Sequence, residues 1–276
     1  MDRDAAIHAL QWHLDAGVDE ALSSSPVDAT KMPEKPKRDE PPAQTKPQTK
    51  EIASEPILGA SDAKREAIKL AKSVKNLDEL KQAIASFDGL DLKNTAANLV
   101  FSDGNDKADV MLIGEAPGAD EDRFGKPFVG ESGQLLDKIV SYIDLARDHS
   151  EPANAIYLSN VLNWRPPGNR TPSPAEIEVS LAFIEKHIAL VQPKILVFCG
   201  GVPAKAMLNA SSGISKLRGK FHEYTPVTKE LFDTTPSPIP AIATYHPSNL
   251  ITTPSQKRLV WQDMILLKKK LTDISA

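Results

Sequence analysis

The chain has 276 residues, 41% of them hydrophobic, which is enough for one large or two small domains with a buried core. Lysine and arginine number 33 and aspartate and glutamate 37, so the net charge of −4 excludes a global positive field, and any nucleic-acid site must be a local basic patch. The single cysteine, Cys199, excludes a disulfide framework and lies in an apolar run typical of a buried thiol.

Two N-terminal segments differ in composition from the rest of the chain. Residues 1–22 carry apolar side chains three or four positions apart, which predicts a short amphipathic helix and a candidate docking element for a protein partner. Residues 23–57 are rich in proline, lysine and glutamine, which predicts a disordered tether whose lysines are either solvated or in contact with phosphate. The sequence has neither an apolar run of about 18 residues nor a signal-peptide pattern, so we expect a cytoplasmic protein of a bacterium-like cell, with no membrane partner.

Helical patterns recur through the folded domain that we expect over residues 58–276. The apolar spacing predicts helices at residues 63–74, 77–87, 135–143 and 259–271. Asn76 is the expected cap of the second of these helices. A capping box at Ser173, with proline at the next position, predicts a further helix, and a similar box at Thr253 precedes the last one.

Strand-like runs alternate with these helices. The runs are short and β-like, at residues 109–114, 155–161, 194–199 and 241–245. Strands alternating with helices predict a mostly parallel sheet covered on both faces. Ligands of such sheets bind beyond the carboxyl ends of the strands, so functional residues are expected just after each run.

The loop after the first strand combines glycine, proline and acidic residues. It contains residues 114–118, Gly-Glu-Ala-Pro-Gly, and then residues 125–130, Gly-Lys-Pro-Phe-Val-Gly. This composition suits a backbone that approaches a ligand closely while an acid and an aromatic ring converge on it, although a structural turn is an alternative. A nucleotide-binding P-loop is excluded because no Gly-Lys-Ser/Thr follows.

Two further strands end in polar side chains. Asn160 ends the second strand, and its amide can donate and accept hydrogen bonds together, as reading a base edge requires. A strand-capping role needs only one such bond and is the alternative. His246 follows the fourth strand, where it is either an electrophile or a satisfied core residue.

Five motifs taken together resemble those of the family 4 uracil-DNA glycosylases, in the same order. They are residues 114–118, residues 125–130, Arg-Pro-Pro-Gly-Asn-Arg at 165–170, Leu-Arg-Gly-Lys at 217–220 and His-Pro-Ser at 246–248. The resemblance covers roughly residues 101–271 and implies a three-layer α/β/α fold with a short central, mostly parallel four-stranded sheet. It also implies a glycosylase that acts on DNA containing uracil, and we expect it to be a monomer.

The resemblance assigns roles to residues around the base. Phe128 falls where the family stacks an aromatic ring on uracil, Asn160 where an amide reads the uracil edge, and His246 where an imidazole donates to uracil O2. Ala116 replaces the aspartate of other branches, as family 4 expects, and belongs to the substrate-binding residues. Glu115 and Glu121 are the two candidates for orienting water or balancing charge on the sugar. Glu121 is preferred, and both carboxylates alternatively cap a helix or turn.

Basic loops supply the expected DNA contacts. The predicted phosphate-binding and DNA-binding residues are Arg165, Arg170, Lys216, Arg218, Lys220 and Ser248. Leu250 lies four residues after His246, where related enzymes insert a side chain into the gap left by the flipped base. An ordinary core leucine is the alternative.

The cysteines of the family are missing from this chain. Family 4 enzymes usually hold a [4Fe–4S] cluster through four cysteines, which here correspond to Phe87, Leu90, Trp164 and Ser180. One thiolate elsewhere cannot hold a cluster, so the sequence predicts a protein without this or any other cofactor. Phe87, Leu90 and Trp164 are expected to fill the vacated volume, although Trp164 stacked on DNA is an alternative.

The sequence is also compatible with two other functions. The same fold acts on other deaminated or mismatched bases, such as hypoxanthine or xanthine, when the pocket loops differ. A non-catalytic binder of damaged DNA, or a polymerase-associated accessory module, is the other alternative. The joint presence of Phe128, Asn160 and His246 argues against a protein without activity.

Overall fold

A mixed β-sheet lies at the centre of the computed structural model, which describes residues 60–275. Its strands are β1 (Asp103–Gly104), β2 (Val110–Gly114), β3 (Ile156–Asn160), β4 (Ile195–Cys199), β5 (Phe221–Tyr224) and β6 (Ile239–Thr244). Their order is β1-β3-β2-β4-β6-β5, with parallel pairing among the four central strands and antiparallel pairing at both edges. The predicted N-terminal helix and tether lie outside the described residues.

Helices cover both faces of the sheet. They are α1 (Ala60–Ser73), α2 (Leu77–Ser86), α3 (Ala119–Phe124), α4 (Glu131–Ser141), α5 (Pro174–Val191), α6 (Gly201–Met207), α7 (Ile214–Leu217), α8 (Pro247–Thr252) and α9 (Lys257–Ser275). On one face Met111 and Leu196 belong to a core shared with Ile184 of α5. The opposite core joins Leu112 to Met264 of α9 and also contains residues of α4. These layers confirm the predicted three-layer α/β/α fold.

The number of strands differs from the prediction. All four expected strands are present, and they are the parallel ones at the centre. Every residue of β2, β3 and β4 is buried, which explains why β2 and β4 are continuous apolar runs and why β3 is apolar up to Leu158. The sheet has six strands instead of four because β1 and β5 add antiparallel edges. β1 has two residues and β5 is mostly half-buried, so neither produces a clear apolar pattern.

Helix caps agree with the sequence at two of three positions. The Asn76 side chain accepts a hydrogen bond from the Glu79 amide, and Ser173 forms the expected reciprocal capping box at α5. The box predicted at Thr253 is wrong, since its side chain makes no capping hydrogen bond. A 3₁₀ turn over Pro254–Gln256 intervenes, so α9 begins at Lys257. None of the described helices is long and apolar enough to cross a membrane.

The alignment of the parallel strands positions the site. Gly114 pairs with Asn160 across β2 and β3, and Cys199 pairs with Thr244 across β4 and β6. The carboxyl ends of the four central strands therefore form one row at the same edge of the sheet. Loops that follow these ends converge above that edge, as expected for parallel α/β sheets.

Candidate active site

A cavity of about 350 Å³ opens at this edge of the sheet. Eight of the residues predicted from the sequence line it: Glu115, Ala116, Glu121, Phe128, Asn160, Arg170, His246 and Ser248. Ser132, Asn169 and Asn249 also line the cavity and were not predicted. Asn169 lies within a recognised motif, whereas Ser132 and Asn249 are polar loop or helix-start residues with no distinctive pattern.

Gly114, the last residue of β2, allows two side chains to meet above it. A Cβ atom added there would lie 2.3 Å from Asn160 Oδ1 and 2.6 Å from Phe128 Cζ. Asn160 is 3% exposed, and its side-chain amide makes no hydrogen bond within residues 60–275. Because buried amides are normally paired, this one is available to a ligand in the cavity.

Phe128 occupies an unusual backbone conformation. Its φ of +54° lies in the left-handed region, which is uncommon for a bulky side chain. The ring is stacked beside the His246 imidazole, with centroids 5.6 Å apart and planes 26° apart. One face of the cavity is therefore formed by an aromatic ring held next to the histidine.

The hydrogen bonds of His246 define its tautomer. Its Nδ1 lies 2.8 Å from Ser248 Oγ and accepts a hydrogen bond of 3.3 Å from the Ser248 backbone amide. An acceptor at Nδ1 places the proton of the neutral ring on Nε2. Burial lowers the pKa of His246 to about 4, so the ring is neutral near pH 7 and still offers Nε2–H as a donor.

The two candidate carboxylates have different surroundings. Glu121 Oε1 accepts from the backbone amides of Val129 and Gly130, and Oε2 accepts from Gly118. These bonds match the capping alternative and do not support the preference for Glu121 as the group that orients water. The Glu115 carboxylate has no hydrogen-bond or ion-pair partner in the described part of the chain, and burial raises its pKa. The geometry therefore favours Glu115.

Four of the predicted basic residues reach the surface. Arg165 donates to Asn169 Oδ1 at 2.7 Å and keeps 30% of its side chain exposed. Arg170 forms a bidentate pair with Glu176, which lowers the pKa of that carboxyl, and it remains 46% exposed. Lys216 and Lys220 are exposed, and neither forms an ion pair within residues 60–275.

The prediction that Arg218 contacts phosphate is wrong. Its side chain is 11% exposed and donates to both oxygens of Asp263, which is fully buried in α9. A third bond runs to the Leu259 carbonyl. The guanidinium therefore ties the loop between α7 and β5 to α9 and is not free to reach DNA.

The prediction that Leu250 inserts into DNA is also wrong. Leu250 is fully buried and belongs to the core between the sheet, α4 and α9. The core alternative is therefore correct. Ile251, the next residue of α8, is the exposed apolar side chain at this place, with 37% of its surface accessible.

The residues at the family's cluster positions do not fit an iron–sulfur cluster. Phe87, Trp164 and Ser180 are buried, Leu90 is half-buried, and none of the four supplies a thiolate. Phe87 packs edge-to-face on Phe183, with ring centroids 5.2 Å apart, in the core between α1, α2 and α5. Trp164 belongs to the core between α5 and the sheet, so the two aromatic side chains lie in different clusters. The burial of Trp164 agrees with packing and not with exposure to DNA.

Comparison with known proteins identifies relatives of this fold and site. A sequence model of the uracil DNA glycosylase superfamily matches residues 101–265. A type-4 uracil-DNA glycosylase of Archaeoglobus fulgidus is 34% identical over 66% of this chain and 86% of its own length. Proteins of the same name from Sulfurisphaera tokodaii and Pyrobaculum aerophilum are each 30% identical, over 72% and 69% of this chain and 85% and 92% of their own lengths.

Proposed function

We propose that this chain, which belongs to the uracil DNA glycosylase superfamily, hydrolyses the N-glycosidic bond of uracil in DNA and leaves an abasic site. The observation that carries the proposal is the convergence of Phe128, Asn160 and His246 on one cavity. Both polar side chains present unused hydrogen-bonding groups there. The type-4 uracil-DNA glycosylases among its relatives support the same activity.

The reaction begins with extrusion of the nucleotide, because the bond to be broken is inaccessible inside a duplex. Unstacking costs a few kcal/mol, and stacking of the extruded base on the Phe128 ring returns about 1–3 kcal/mol. A cavity of about 350 Å³ is at the small end of the range for small-molecule sites and suits a single base. Ile251 is exposed on α8, the short helix that also carries the cavity residue Asn249, and is our candidate for the side chain that fills the gap in the duplex.

Asn160 supplies recognition of the base. Its amide donates to the uracil O4 acceptor and accepts from the N3–H donor. Cytosine reverses this pattern by presenting an exocyclic amine and an unprotonated ring nitrogen, so both bonds are lost when the Asn160 amide is held in this orientation. Cytosine would leave the buried Asn160 side chain unpaired, and the cost of an unpaired buried polar group makes the discrimination between uracil and cytosine strong.

His246 stabilises the leaving group. As the glycosidic bond lengthens, negative charge develops on uracil O2, and Nε2–H of the neutral imidazole donates to that oxygen. An oriented donor of this kind typically contributes a factor of roughly 10²–10³ to the rate. Ser248 holds the ring through Nδ1 and thereby keeps the proton on Nε2.

Glu115 is the carboxylate that we assign to the sugar side of the bond. Without another partner among residues 60–275, it is free to orient the attacking water or to offset the positive charge of the oxocarbenium-like sugar. Ala116 and the neighbouring loop backbone leave space beside it for the base. Glu121 acts indirectly, by holding the loop that carries Phe128.

The remaining assignments concern binding and organisation. Arg165, Arg170, Lys216 and Lys220 bind backbone phosphates, and the chain works on DNA as a monomer in the cytoplasm. The segment of residues 1–57 is dispensable for chemistry and serves to bind a protein partner.

A labelled oligonucleotide with one uracil tests the activity. The chain is incubated with single-stranded and duplex forms, and alkali then cleaves any abasic site. Strand cleavage that depends on uracil, with none in a matched thymine oligonucleotide, is the expected result. Retarded but intact DNA would indicate a binder without activity, and cleavage only at hypoxanthine or xanthine would indicate a different substrate.

A further inference from the structure

Arg147 lies outside the cavity yet contacts the backbone of the stacking residue. It belongs to the segment between α4 and β3, and 15% of its side chain is exposed. Nη1 donates to the Pro127 carbonyl at 3.0 Å, and Nη2 donates to the Phe128 carbonyl at 2.5 Å. One guanidinium therefore binds two consecutive carbonyl groups of the loop that carries the aromatic ring.

Two carboxylates fix the orientation of this guanidinium. Nε donates to Asp137 of α4 at 2.7 Å, and Nη1 lies 3.0 Å from Asp103 of β1. A planar arginine fork held on several sides is preorganised, and a lysine ammonium cannot reproduce its geometry. With these bonds formed and little surface exposed, Arg147 is poorly placed to bind a phosphate.

Phe128 needs external support for its conformation. A left-handed backbone is strained for a residue with a bulky side chain and persists only where neighbouring contacts determine it. Arg147 donates hydrogen bonds to the carbonyl groups of Pro127 and Phe128. Glu121 accepts hydrogen bonds from the backbone amides of the next two residues, Val129 and Gly130. Gly133 completes the enclosure, since a Cβ atom there would lie 1.9 Å from the Phe128 carbonyl oxygen.

We propose that Arg147 is a positioning residue that holds Phe128 in the left-handed conformation in which its ring stacks on the extruded base. The inference rests on the proposed function, because the position of the ring matters to catalysis only if a base stacks on it. Loss of the fork lets the loop relax, the ring leaves the cavity wall, and the flipped state loses its stacking surface.

Single-turnover excision at saturating enzyme is the first test, with Arg147→Met, Arg147→Lys and the matched control Lys268→Met. Lys268 also donates to a carbonyl and a carboxylate, those of Ile143 and Asp144, but does not touch Phe128. Arg147→Met is expected to slow excision about tenfold or more, with Arg147→Lys only partly restoring it and the control near the parent. Affinity for uracil-free DNA should stay within about twofold of the parent in all three variants.

A double-mutant cycle separates positioning from general destabilisation. In a Phe128→Leu background, Arg147→Met should slow excision further by less than about threefold, because the ring that it positions is already absent. Excision by Arg147→Met at the parental rate would overturn the proposal. So would a double variant whose fold-loss of rate equals the product of the losses in the two single variants. Should Arg147→Met fail to fold by circular dichroism, Arg147→Lys takes its place in the same cycle.

Proton NMR of the His246 imidazole gives a readout that does not depend on activity. The Phe128 ring stacks on this imidazole and shifts its resonances, so Arg147→Met should change them in the same direction as Phe128→Leu. Lys268→Met should leave them unchanged. Unchanged His246 resonances in a folded Arg147 variant would refute the positioning role, whereas a parent protein that releases no uracil would refute only the proposed function.

Discussion

Gly114→Ala is expected to disable the site with little effect on the fold. The added methyl group would lie 2.3 Å from Asn160 Oδ1 and 2.6 Å from Phe128 Cζ, whereas ordinary contacts at this position begin near 3.4 Å. The amide and the ring must therefore each retreat by about 1 Å, and misplacement on that scale costs about 10²-fold in rate. Because the ring borders a cavity, it has room to move, so the free energy of unfolding should fall by only about 1–3 kcal/mol.

The assay compares kcat/KM for a uracil oligonucleotide with urea unfolding of the same protein. Gly213→Ala is the matched control, since a Cβ atom there meets nothing within 4 Å and its φ of −69° suits alanine. The control should keep parental activity and stability. Gly114→Ala with parental kcat/KM would refute the claim that Asn160 and Phe128 act together on the base.

Three further predictions address stability, pH and the N-terminal segment. Trp164→Ala should reduce the free energy of unfolding by roughly 3–5 kcal/mol, whereas Trp261→Ala should change it little, because the Trp261 side chain is 42% exposed. Equal effects of the two substitutions in urea unfolding would contradict the claim that Trp164 packs in the core. Excision should decline as the pH falls through the raised pKa of Glu115, because the ionised carboxylate is lost there. A Glu115→Gln variant should be slow at every pH and should not show this acidic decline. A variant with the same pH–rate profile as the parent would exclude Glu115 as the group that orients water. A protein starting at Leu58 should excise uracil from naked oligonucleotides at the parental rate, and a loss at moderate salt would show that the lysines of residues 23–57 contact DNA.

Much of the fold was predictable because the central strands are buried on both faces. Their sequences are mostly apolar, and polar residues at or just after their carboxyl ends, such as Asn160 and His246, mark the edge where ligands bind. The edge strands β1 and β5 were not predictable, since two residues or a half-buried run carry no periodic signal.

The errors at the site have a common physical origin. Arg218 looks like a phosphate ligand until Asp263, 45 positions away, is brought beside it by the packing of α9. Leu250 and Ile251 are both apolar, and only the orientation of α8 decides which of them is buried. The choice between Glu115 and Glu121 as the carboxylate that orients water is not an error of this kind and stays a prediction. The sequence shows two acidic residues near one loop, and it does not show that backbone amides of the loop bind Glu121. Tertiary contacts of this kind leave no local pattern in the sequence.

The central claim is that the cavity releases uracil by the combined action of Asn160 and His246. Chromatography of the free base released from a uracil-containing duplex measures this directly, without relying on strand cleavage. The account predicts one uracil per substrate strand for the parent, and a release rate lowered roughly 10²–10³-fold in His246→Ala, which remains folded by circular dichroism. No free uracil from the parent, or parental release rates from both His246→Ala and Asn160→Asp, would contradict it.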